Sequence, residues 1–263
     1  MEYHFSDGEG SEQAMSGLAV IGGSGFASMP ELEILESVPA STAYGEPSAP
    51  LIRGRIEDSE LWFLARHGGG HTIPPHRVNY RANIRALADA GVDSIVALGA
   101  VGGIAADCGP LAVCIPDQLI DYTHGRDASF FDGGDGGVLH VDFTSPFSPS
   151  LRRLLVETAG AVGVAIRDGG VYGVTQGPRL ETAAEVRRME RDGCDLVGMT
   201  AMPEAVLARE LGISYATLAF VVNWAAGKTA GEIGMAEINA NIAHCADSIR
   251  RVLVGLAARL APA

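Results

Sequence analysis

The chain has 263 residues, 47% of them hydrophobic, and a formal net charge of −13 at neutral pH. This is enough apolar material for one large domain or two small ones, and it excludes wholesale disorder. The negative charge argues against nucleic acid as a partner, because a polyanion must be met by basic surface. A small phosphate ligand stays possible, since a few local donors can hold it.

The cysteines and the apolar runs bear on the compartment. The cysteines have neither CxxC nor zinc-like spacing, so we expect four reduced core residues: Cys108, Cys114, Cys194 and Cys245. No apolar run reaches the roughly 18 residues of a membrane helix, and the acidic, polar N-terminus is unlike a signal peptide. We therefore expect a soluble, cytoplasmic protein. Residues 1–16 are expected to be a disordered leader, and residues 17–263 one domain.

Apolar runs alternate with glycine-rich turns along the first half of the chain. Residues 18–21 are predicted to form a buried strand that runs into a Gly22–Gly25 turn, and residues 61–65 form a second that runs into Arg66 and His67. The other predicted elements here are a helix over residues 80–90, strands over 94–98 and 111–120, and a helix over 150–162. Between residues 121 and 137 lies a polar excursion that is too long for a simple connection.

The stretch from Tyr172 to Gly227 predicts a strand, a Gly-Pro turn, a helix, a short strand, a helix and a buried strand, in that order. A closing helix, or a pair of helices, follows over residues 233–260. Glu181, Met199, Thr200 and Asn223 each fall at the end of an element, where side chains can converge on a ligand. The pattern predicts an α/β fold of one domain, with a central mixed β-sheet flanked by helices and its ligand loops on one side.

Several motifs near the N-terminus allow both a functional and a structural interpretation. The Gly22–Gly25 turn can cradle phosphate or simply follow a strand, and it completes neither a Walker A loop nor a dinucleotide fingerprint. Arg66 and His67 are more informative, because a guanidinium and an imidazole side by side can bind a planar oxyanion. Further histidines at positions 71 and 76 raise the question of a metal. The intervening glycines and prolines forbid a helical ligand spacing, so we predict none.

The candidates in the second half have ordinary explanations when taken singly. Glu181 can be a helix N-terminal acid, Asn223 a turn former and Met199 a core residue. No nucleophile motif is present, and no pair of catalytic carboxylates is placed by spacing. An oxyanion cradle with one amide and one carboxylate suits a substrate that supplies its own nucleophile, and phosphate is such a substrate.

Several motifs in order resemble the trimeric nucleoside phosphorylases, the family of methylthioadenosine and purine nucleoside phosphorylases. The matching segments are AVIGGSGF, ARHGGGHTIPPHRVNYRANIRAL, GAVGGI, PDQLIDYTHGR, TQGPRLETAAEVRRM and DLVGMTAMPEAVLARELGISYA. They cover most of residues 18–240. The resemblance implies that phosphate attacks C1′ of a purine nucleoside while the purine departs, with phosphate as co-substrate and no cofactor.

The resemblance also implies roles for individual residues. Met199 would lie against the ribose, and Asn223 would stabilise the departing purine near N7. The excursion around residues 130–140 would reach a neighbouring subunit's site, so a homotrimer is implied. Phosphate would be held by Ser24, Arg66, His67, the backbone of Ala100, and Thr200.

The positions where this chain departs from adenine-specific members imply the base. Those enzymes carry serine at the position of Glu181 and aspartates at those of Asn223 and Ala225, whereas inosine/guanosine phosphorylases carry glutamate and asparagine at the first two. A 6-oxopurine offers N1–H to a carboxylate, whereas adenine offers a lone pair that the carboxylate repels. Such a mismatch can cost a factor of about 10⁴. We therefore expect a 6-oxopurine nucleoside.

The 5′ end of the substrate is expected to be apolar. The histidine that faces the 5′-hydroxyl in inosine/guanosine phosphorylases is missing, and Met235 and its apolar neighbours stand there instead. Leu180 and His140 are further expected contacts, and His140 matches a site histidine of the methylthioadenosine enzymes. Methylthioinosine fits this combination, within purine salvage. Inosine or guanosine, and then methylthioadenosine, remain alternatives. A nucleotide-cofactor oxidoreductase is disfavoured by the incomplete glycine fingerprint, and a non-catalytic nucleoside-binding protein by the complete phosphate set. Gly99 replaces a threonine or asparagine of the relatives, which leaves the contact there open.

Overall fold

A long central strand, β5 (Ser94–Gly103), organises the sheet. In the computed structural model, which describes residues 17–23, 29–133 and 137–260, this strand has β11 along one edge and two successive partners along the other. The described residues form one mixed sheet of eleven strands. The strands are β1 (Leu18–Gly22), β2 (Glu33–Val38), β3 (Leu51–Ile56), β4 (Ser59–Ala65), β5, β6 (Val113–Ile115), β7 (Gln118–Asp121), β8 (Arg167–Asp168), β9 (Val171–Val174), β10 (Leu196–Gly198) and β11 (Ser214–Trp224).

Five α-helices within the described residues cover the sheet. They are α1 (Tyr80–Asp89), α2 (Pro149–Ala161), α3 (Ala183–Arg191), α4 (Ala201–Glu210) and α5 (Met235–Leu260). Helices α1 and α4 pack with one apolar cluster, and α2 and α5 with the other, so buried side chains lie on both faces of the central strands. This burial explains the continuous apolar runs of β5 and β11. The predicted α/β fold with a mixed sheet is confirmed.

The helix boundaries follow local capping chemistry. Asn79 accepts a hydrogen bond from the backbone N–H of Ala82 at the start of α1. At the start of α3, Thr182 and Glu185 form a reciprocal capping box. Each of these side chains satisfies backbone donors that would otherwise lack a partner in the first helical turn. None of the helices in the described ranges is long and apolar enough to cross a membrane.

Some of the predicted boundaries were wrong. Residues 111–120 form two short strands, because Pro116 lies between β6 and β7 and has no N–H to donate to a ladder. The closing segment is one helix, α5, and β5 runs on to Gly103, five residues past its predicted end. Strands β2 and β3 were not predicted. All residues of β2 are at least partly exposed, so its sequence lacks a buried apolar run.

The excursion after β7 has no helix or strand between residues 122 and 148 in its described part. It is nevertheless tied to α4, because both carboxylate oxygens of Glu210 accept hydrogen bonds of 2.7 Å, from Ser129 Oγ and from the N–H of Phe130. The Phe130 ring packs 5.0 Å from the ring of Tyr44. The segment is thus more than a simple connection, as predicted, and its reach to a neighbouring subunit stays a prediction.

The four cysteines are all buried with free thiols, in keeping with the prediction. Residues 1–16, predicted to be a leader, lie outside the described residues.

Candidate active site

A gap opens beside β5 where its partner strand changes. Strand β1 pairs with it in parallel as far as Ala97, and β10 pairs antiparallel from Gly102 onward. Residues 98–101 therefore have no strand neighbour on this edge in the described part of the chain. Ala100 is exposed whereas the other nine residues of β5 are buried. Open α/β sheets bind ligands at such switch points.

The backbone of β5 faces this gap with alternate residues. The carbonyl oxygen of Leu98 accepts a 3.0 Å hydrogen bond from Nη1 of Arg66, which follows β4. Because the N–H and C=O groups of every second residue point to the same side of a strand, the N–H of Ala100 lies on the gap side as well. This geometry agrees with the predicted backbone contact of Ala100 with phosphate.

Arg66 is held by a buried carboxylate that the sequence did not single out. Arg66 is 2% exposed and Glu204 is 0% exposed. Nε and Nη2 of Arg66 each donate to one oxygen of Glu204, the latter at 2.9 Å, and the hydroxyl of Tyr215 donates to the same carboxylate at 2.9 Å. Burial opposes the charge of Arg66, but Glu204 reverses the effect and raises the pKa of the guanidinium. Together with the bond to the carbonyl of Leu98, three of the five N–H groups of Arg66 are engaged. Two are left to bind an oxyanion.

His67 is fixed by its own turn. Its Nδ1 lies 2.8 Å from the carbonyl oxygen of Ile73, whose N–H bonds back to the carbonyl of His67 at 2.9 Å. Because a carbonyl only accepts, Nδ1 carries the proton, and Nε2 is left as an acceptor in the neutral ring. Burial and the neighbouring Arg66 lower the pKa of His67 to about 4. The Nε2 atom of a neutral His67 can accept a hydrogen bond from the hydroxyl of a hydrogen phosphate. No group of acidic, histidine or cysteine side chains in the described ranges could hold a metal ion.

Met199 and Thr200 follow β10 at the edge of the same gap. Thr200 is 9% exposed, and its hydroxyl does not cap α4, which it precedes. Met199 packs closely on the loop before α3. A Cβ atom at Gly177 would stand only 2.5 Å from the sulfur of Met199. Gly177 also has φ of +61°, so glycine is required there for both reasons. Met199 thereby links the end of β10 to the loop that carries Glu181.

Glu181 lies at the end of this loop and is half-buried. Its Oε1 accepts a 2.6 Å hydrogen bond from Oγ1 of Thr175, the residue after β9. The helix-capping role considered for Glu181 belongs to Glu185, whose carboxylate bonds to the N–H of Thr182 and to Arg179. Glu181 is thus free of the helix and borders a cavity of about 400 Å³.

Asn223 is placed by a β-bulge. The register of β11 on β5 shifts between Val221 and Asn223, which leaves Val222 as the extra residue and turns the strand end. Asn223 is 6% exposed, and its Nδ2 donates to the carbonyl of Trp224 at 2.8 Å. The turn that follows packs on the start of α3, because a Cβ at Gly227 would stand 2.6 Å from Cβ of Ala183. Asn223 does not line the cavity beside Glu181.

Comparison with known proteins places this arrangement in a family. The model of the phosphorylase superfamily matches residues 18–258. The chain belongs to the phosphorylase superfamily. It is 50% identical over 241 residues to a probable S-methyl-5′-thioinosine phosphorylase of Xanthomonas campestris, covering 91% of this chain and 96% of that one. It is 44% identical to a 6-oxopurine nucleoside phosphorylase of Pyrococcus furiosus, covering 85% of each.

A solved relative has the same fold. The crystal structure of a methylthioadenosine phosphorylase sourced from an antarctic soil metagenomic library superposes with a TM-score of 0.88 at 37% identity, covering 95% of this chain and 88% of that one. The described sheet, with its gap beside β5, is therefore the phosphorylase fold.

The remaining predicted residues of this phosphorylase lie further out. Leu180 is 40% and Met235 63% exposed, the latter at the first turn of α5, and His140 is exposed in the excursion. Ala225 is buried in an apolar cluster with Val186 and Met189 of α3. Ser24 lies outside the described residues.

Gly99 does not face the gap. A Cβ there would stand 3.6 Å from the hydroxyl of Tyr172 and 3.7 Å from the methyl carbon of Thr217. The hydroxyls of Tyr172 and Thr217 are buried and have no hydrogen-bond partner within the described residues, and burial raises the pKa of Tyr172 to about 12. A side chain at position 99 would thus begin beside the hydroxyl of Tyr172 and the methyl group of Thr217.

Arg126 is the residue that sequence reasoning missed most clearly. Its guanidinium donates to four backbone carbonyls on two segments of the site, at 2.5–3.2 Å: those of Met199 and Met202, and those of Thr175 and Gln176. No carboxylate within the described ranges pairs with it. The following residue in sequence, Asp127, pairs with Arg81 instead.

Glu204 did leave a signal in the sequence. It falls three residues after Ala201 and four before Ala208, on the apolar face of its helix. An acidic residue on a buried face needs a partner, and here the partner is Arg66.

Proposed function

We propose that this phosphorylase cleaves 6-oxopurine nucleosides, with S-methyl-5′-thioinosine as its principal substrate. An oxygen of phosphate forms a bond to C1′ as the bond from C1′ to N9 breaks. The electron pair leaves with the purine, which takes up a proton. The products are hypoxanthine and 5-methylthioribose 1-phosphate. The observation that carries the choice of base is Glu181, a carboxylate that borders the cavity and can only accept a hydrogen bond from the base edge.

Phosphate is proposed to bind in the gap beside β5. Arg66 has two N–H groups left over from its bonds to Glu204 and Leu98. The N–H of Ala100, the hydroxyl of Thr200, Nε2 of His67 and the hydroxyl of Ser24 complete the proposed set. Phosphate held there beside C1′ would convert a two-molecule collision into an oriented step.

The leaving purine is proposed to meet Asn223. An amide can donate one hydrogen bond and accept another, so it can stabilise both O6 and a protonated N7, whereas an aspartate could only accept. One N–H of Asn223 is engaged by the carbonyl of Trp224, which fixes the plane of the amide. Stabilising charge that develops only as the base departs lowers the barrier rather than tightening ground-state binding.

The 5′ group is proposed to contact Met235 and Leu180, with His140 supplied by a neighbouring subunit of a homotrimer. Large apolar side chains left as exposed as Met235 in a single chain suit a contact with ligand or with another subunit. The relative named S-methyl-5′-thioinosine phosphorylase supports the methylthio group. The relative named 6-oxopurine nucleoside phosphorylase supports inosine and guanosine as the second candidate.

A panel of four nucleosides assayed with and without phosphate tests the proposal. We expect phosphate-dependent kcat/KM to fall in the order methylthioinosine, inosine and guanosine, methylthioadenosine. Faster cleavage of inosine would overturn the 5′ assignment alone. Faster cleavage of methylthioadenosine would overturn the role of Glu181 and Asn223. Cleavage without phosphate would overturn phosphorolysis itself.

A further inference from the structure

The backbone of Thr175 is held by hydrogen bonds on two sides. Its N–H donates to the carbonyl of Gly198 at 2.8 Å, and its own carbonyl accepts from Nη2 of Arg126 at 3.2 Å. The backbone is therefore held on both sides, against β10 and against the excursion. The position of its hydroxyl relative to the site is set by these bonds.

The hydroxyl of Thr175 is committed to Glu181. Its Oγ1 lies 2.6 Å from Oε1 of Glu181 and 3.3 Å from the carbonyl of Gly198. A hydroxyl has one proton to donate, and the shorter bond to a carboxylate is the stronger. In the described part of the chain, Thr175 is the one hydrogen-bond donor to this carboxylate. Both residues line the cavity of about 400 Å³.

A competing partner for Glu181 lies close by. Arg179, two residues earlier, is bonded to Glu185 at 2.7 and 2.8 Å, but its positive charge also acts on Glu181. Without the bond from Thr175, a half-buried glutamate with three rotatable bonds could turn toward that guanidinium. The base edge would then lose its acceptor.

We propose that Thr175 is a positioning residue for base specificity, which holds Glu181 with Oε1 occupied and Oε2 presented to the base. This inference rests on the proposed function. A carboxylate held in this way meets the N1–H of a 6-oxopurine, whereas the N1 of adenine offers only another acceptor. The Thr175 hydroxyl thus tunes the choice of base through Glu181 rather than by its own contact with the base.

The test compares Thr175→Val, which keeps the shape and removes the hydroxyl, with Thr175→Ser, which keeps the hydroxyl. We expect the valine variant to lower kcat/KM for methylthioinosine about 10-fold, as for loss of one bond to a charged group, with the KM for phosphate unchanged. The serine variant should stay within about twofold of wild type. An equal kcat/KM for the valine variant and wild type would overturn the proposal.

Two further measurements separate this inference from the proposed function. In a Glu181→Ala background, which removes the acceptor, Thr175→Val should have a much smaller effect, and an undiminished effect would show that Thr175 acts elsewhere. In a crystal structure of Thr175→Val, the Glu181 carboxylate should have turned toward Arg179, and an unmoved carboxylate would contradict the holding role. If wild type instead fails to cleave any 6-oxopurine nucleoside, the proposed function fails, and the crystal structure still decides the role of Thr175.

Discussion

The proposed phosphate end and the proposed base end of the site are built differently. Arg66 is 2% exposed and is bonded to Glu204, 138 residues away in sequence. Glu181 is half-buried and bonded to Thr175, six residues away. The first arrangement joins residues far apart in the sequence, whereas the second pair lies within the segment between β9 and α3. A fold built in this way can keep its phosphate chemistry while a few loop substitutions change the base.

Arg126 couples the two ends. One of its nitrogens bonds to the carbonyls of Met199 and Met202, on the proposed phosphate and ribose side. Another bonds to the carbonyls of Thr175 and Gln176, on the proposed base side. A guanidinium can serve several carbonyls at once because its donors form a planar fork. The two ends are thus held in register by a side chain that is itself in neither proposed contact set.

Removal of the buried carboxylate should have the largest effect. Glu204→Gln leaves the Arg66 charge buried without its counter-ion, which we expect to lower the free energy of unfolding by about 3–5 kcal/mol and to raise the KM for phosphate. Tyr215→Phe, which removes only the hydroxyl bonded to Glu204, should cost about 1 kcal/mol. Urea denaturation measures both. Equal stability of Glu204→Gln and wild type would show that the pair does not hold the phosphate end.

A substitution at the proposed base end should lower activity more than it lowers stability. Glu181→Gln removes the charge that meets N1–H, and we expect kcat/KM for 6-oxopurine nucleosides to fall about 10²-fold, with the free energy of unfolding within about 0.5 kcal/mol of wild type. Glu190→Gln is the matched control, because it removes a carboxylate of α3 that pairs with Lys228 and leaves both Arg179 and the base edge intact. A similar activity loss in the control would mean that the loss of any nearby negative charge, rather than of the Glu181 charge, matters.

Arg126 should affect both ends together. Arg126→Lys keeps the charge but cannot serve carbonyls on both segments, so we expect the KM values for phosphate and for nucleoside each to rise about 10-fold, as for loss of one or two bonds to a charged group. Steady-state kinetics with each substrate varied in turn measures this. A rise in only one KM would show that Arg126 supports one end and does not couple the two.

His67 gives the smallest and most local effect. Its folded pKa of about 4 lies below the ordinary 6.5, so the unfolded chain binds more protons between these values. The stabilising contribution is full above pH 6.5 and is lost as the pH falls through this window toward 4. His67→Asn should flatten that part of the stability curve. Histidine NMR titration should place the pKa of His67 near 4 in the free protein and higher with phosphate bound; a free value near 6.5 would contradict the burial argument.

Features that depend on residues close together in the sequence could be predicted, whereas features that depend on distant residues could not. The central strands β1, β4 and β11 were predictable because burial on both faces leaves a continuous apolar run. The partly exposed edge strand β2 has no continuous apolar run, and it was not predicted. Asn223 was identified as a residue at a strand end, but the bulge that turns it depends on register against β5, which no local pattern encodes.

The site residues divide in the same way. Arg66 and His67 were recognisable because they directly follow an apolar strand, and Glu181 because it follows the Gly-Pro turn. Glu204, the partner of Arg66, was not recognisable, because 138 residues separate the two in the sequence. The role of Arg126 was hidden for another reason: the bonds by which it joins the two segments go to backbone carbonyls, and these have no residue type to recognise.

The central claim is that the base end selects a 6-oxopurine independently of phosphate capture. Isothermal titration calorimetry of hypoxanthine and of adenine into the wild-type protein, each with and without saturating phosphate, tests it most directly. We expect hypoxanthine to bind roughly 10²-fold more tightly than adenine, with the same ratio in both phosphate conditions. Equal affinities, tighter binding of adenine, or a ratio that depends on phosphate would contradict the claim.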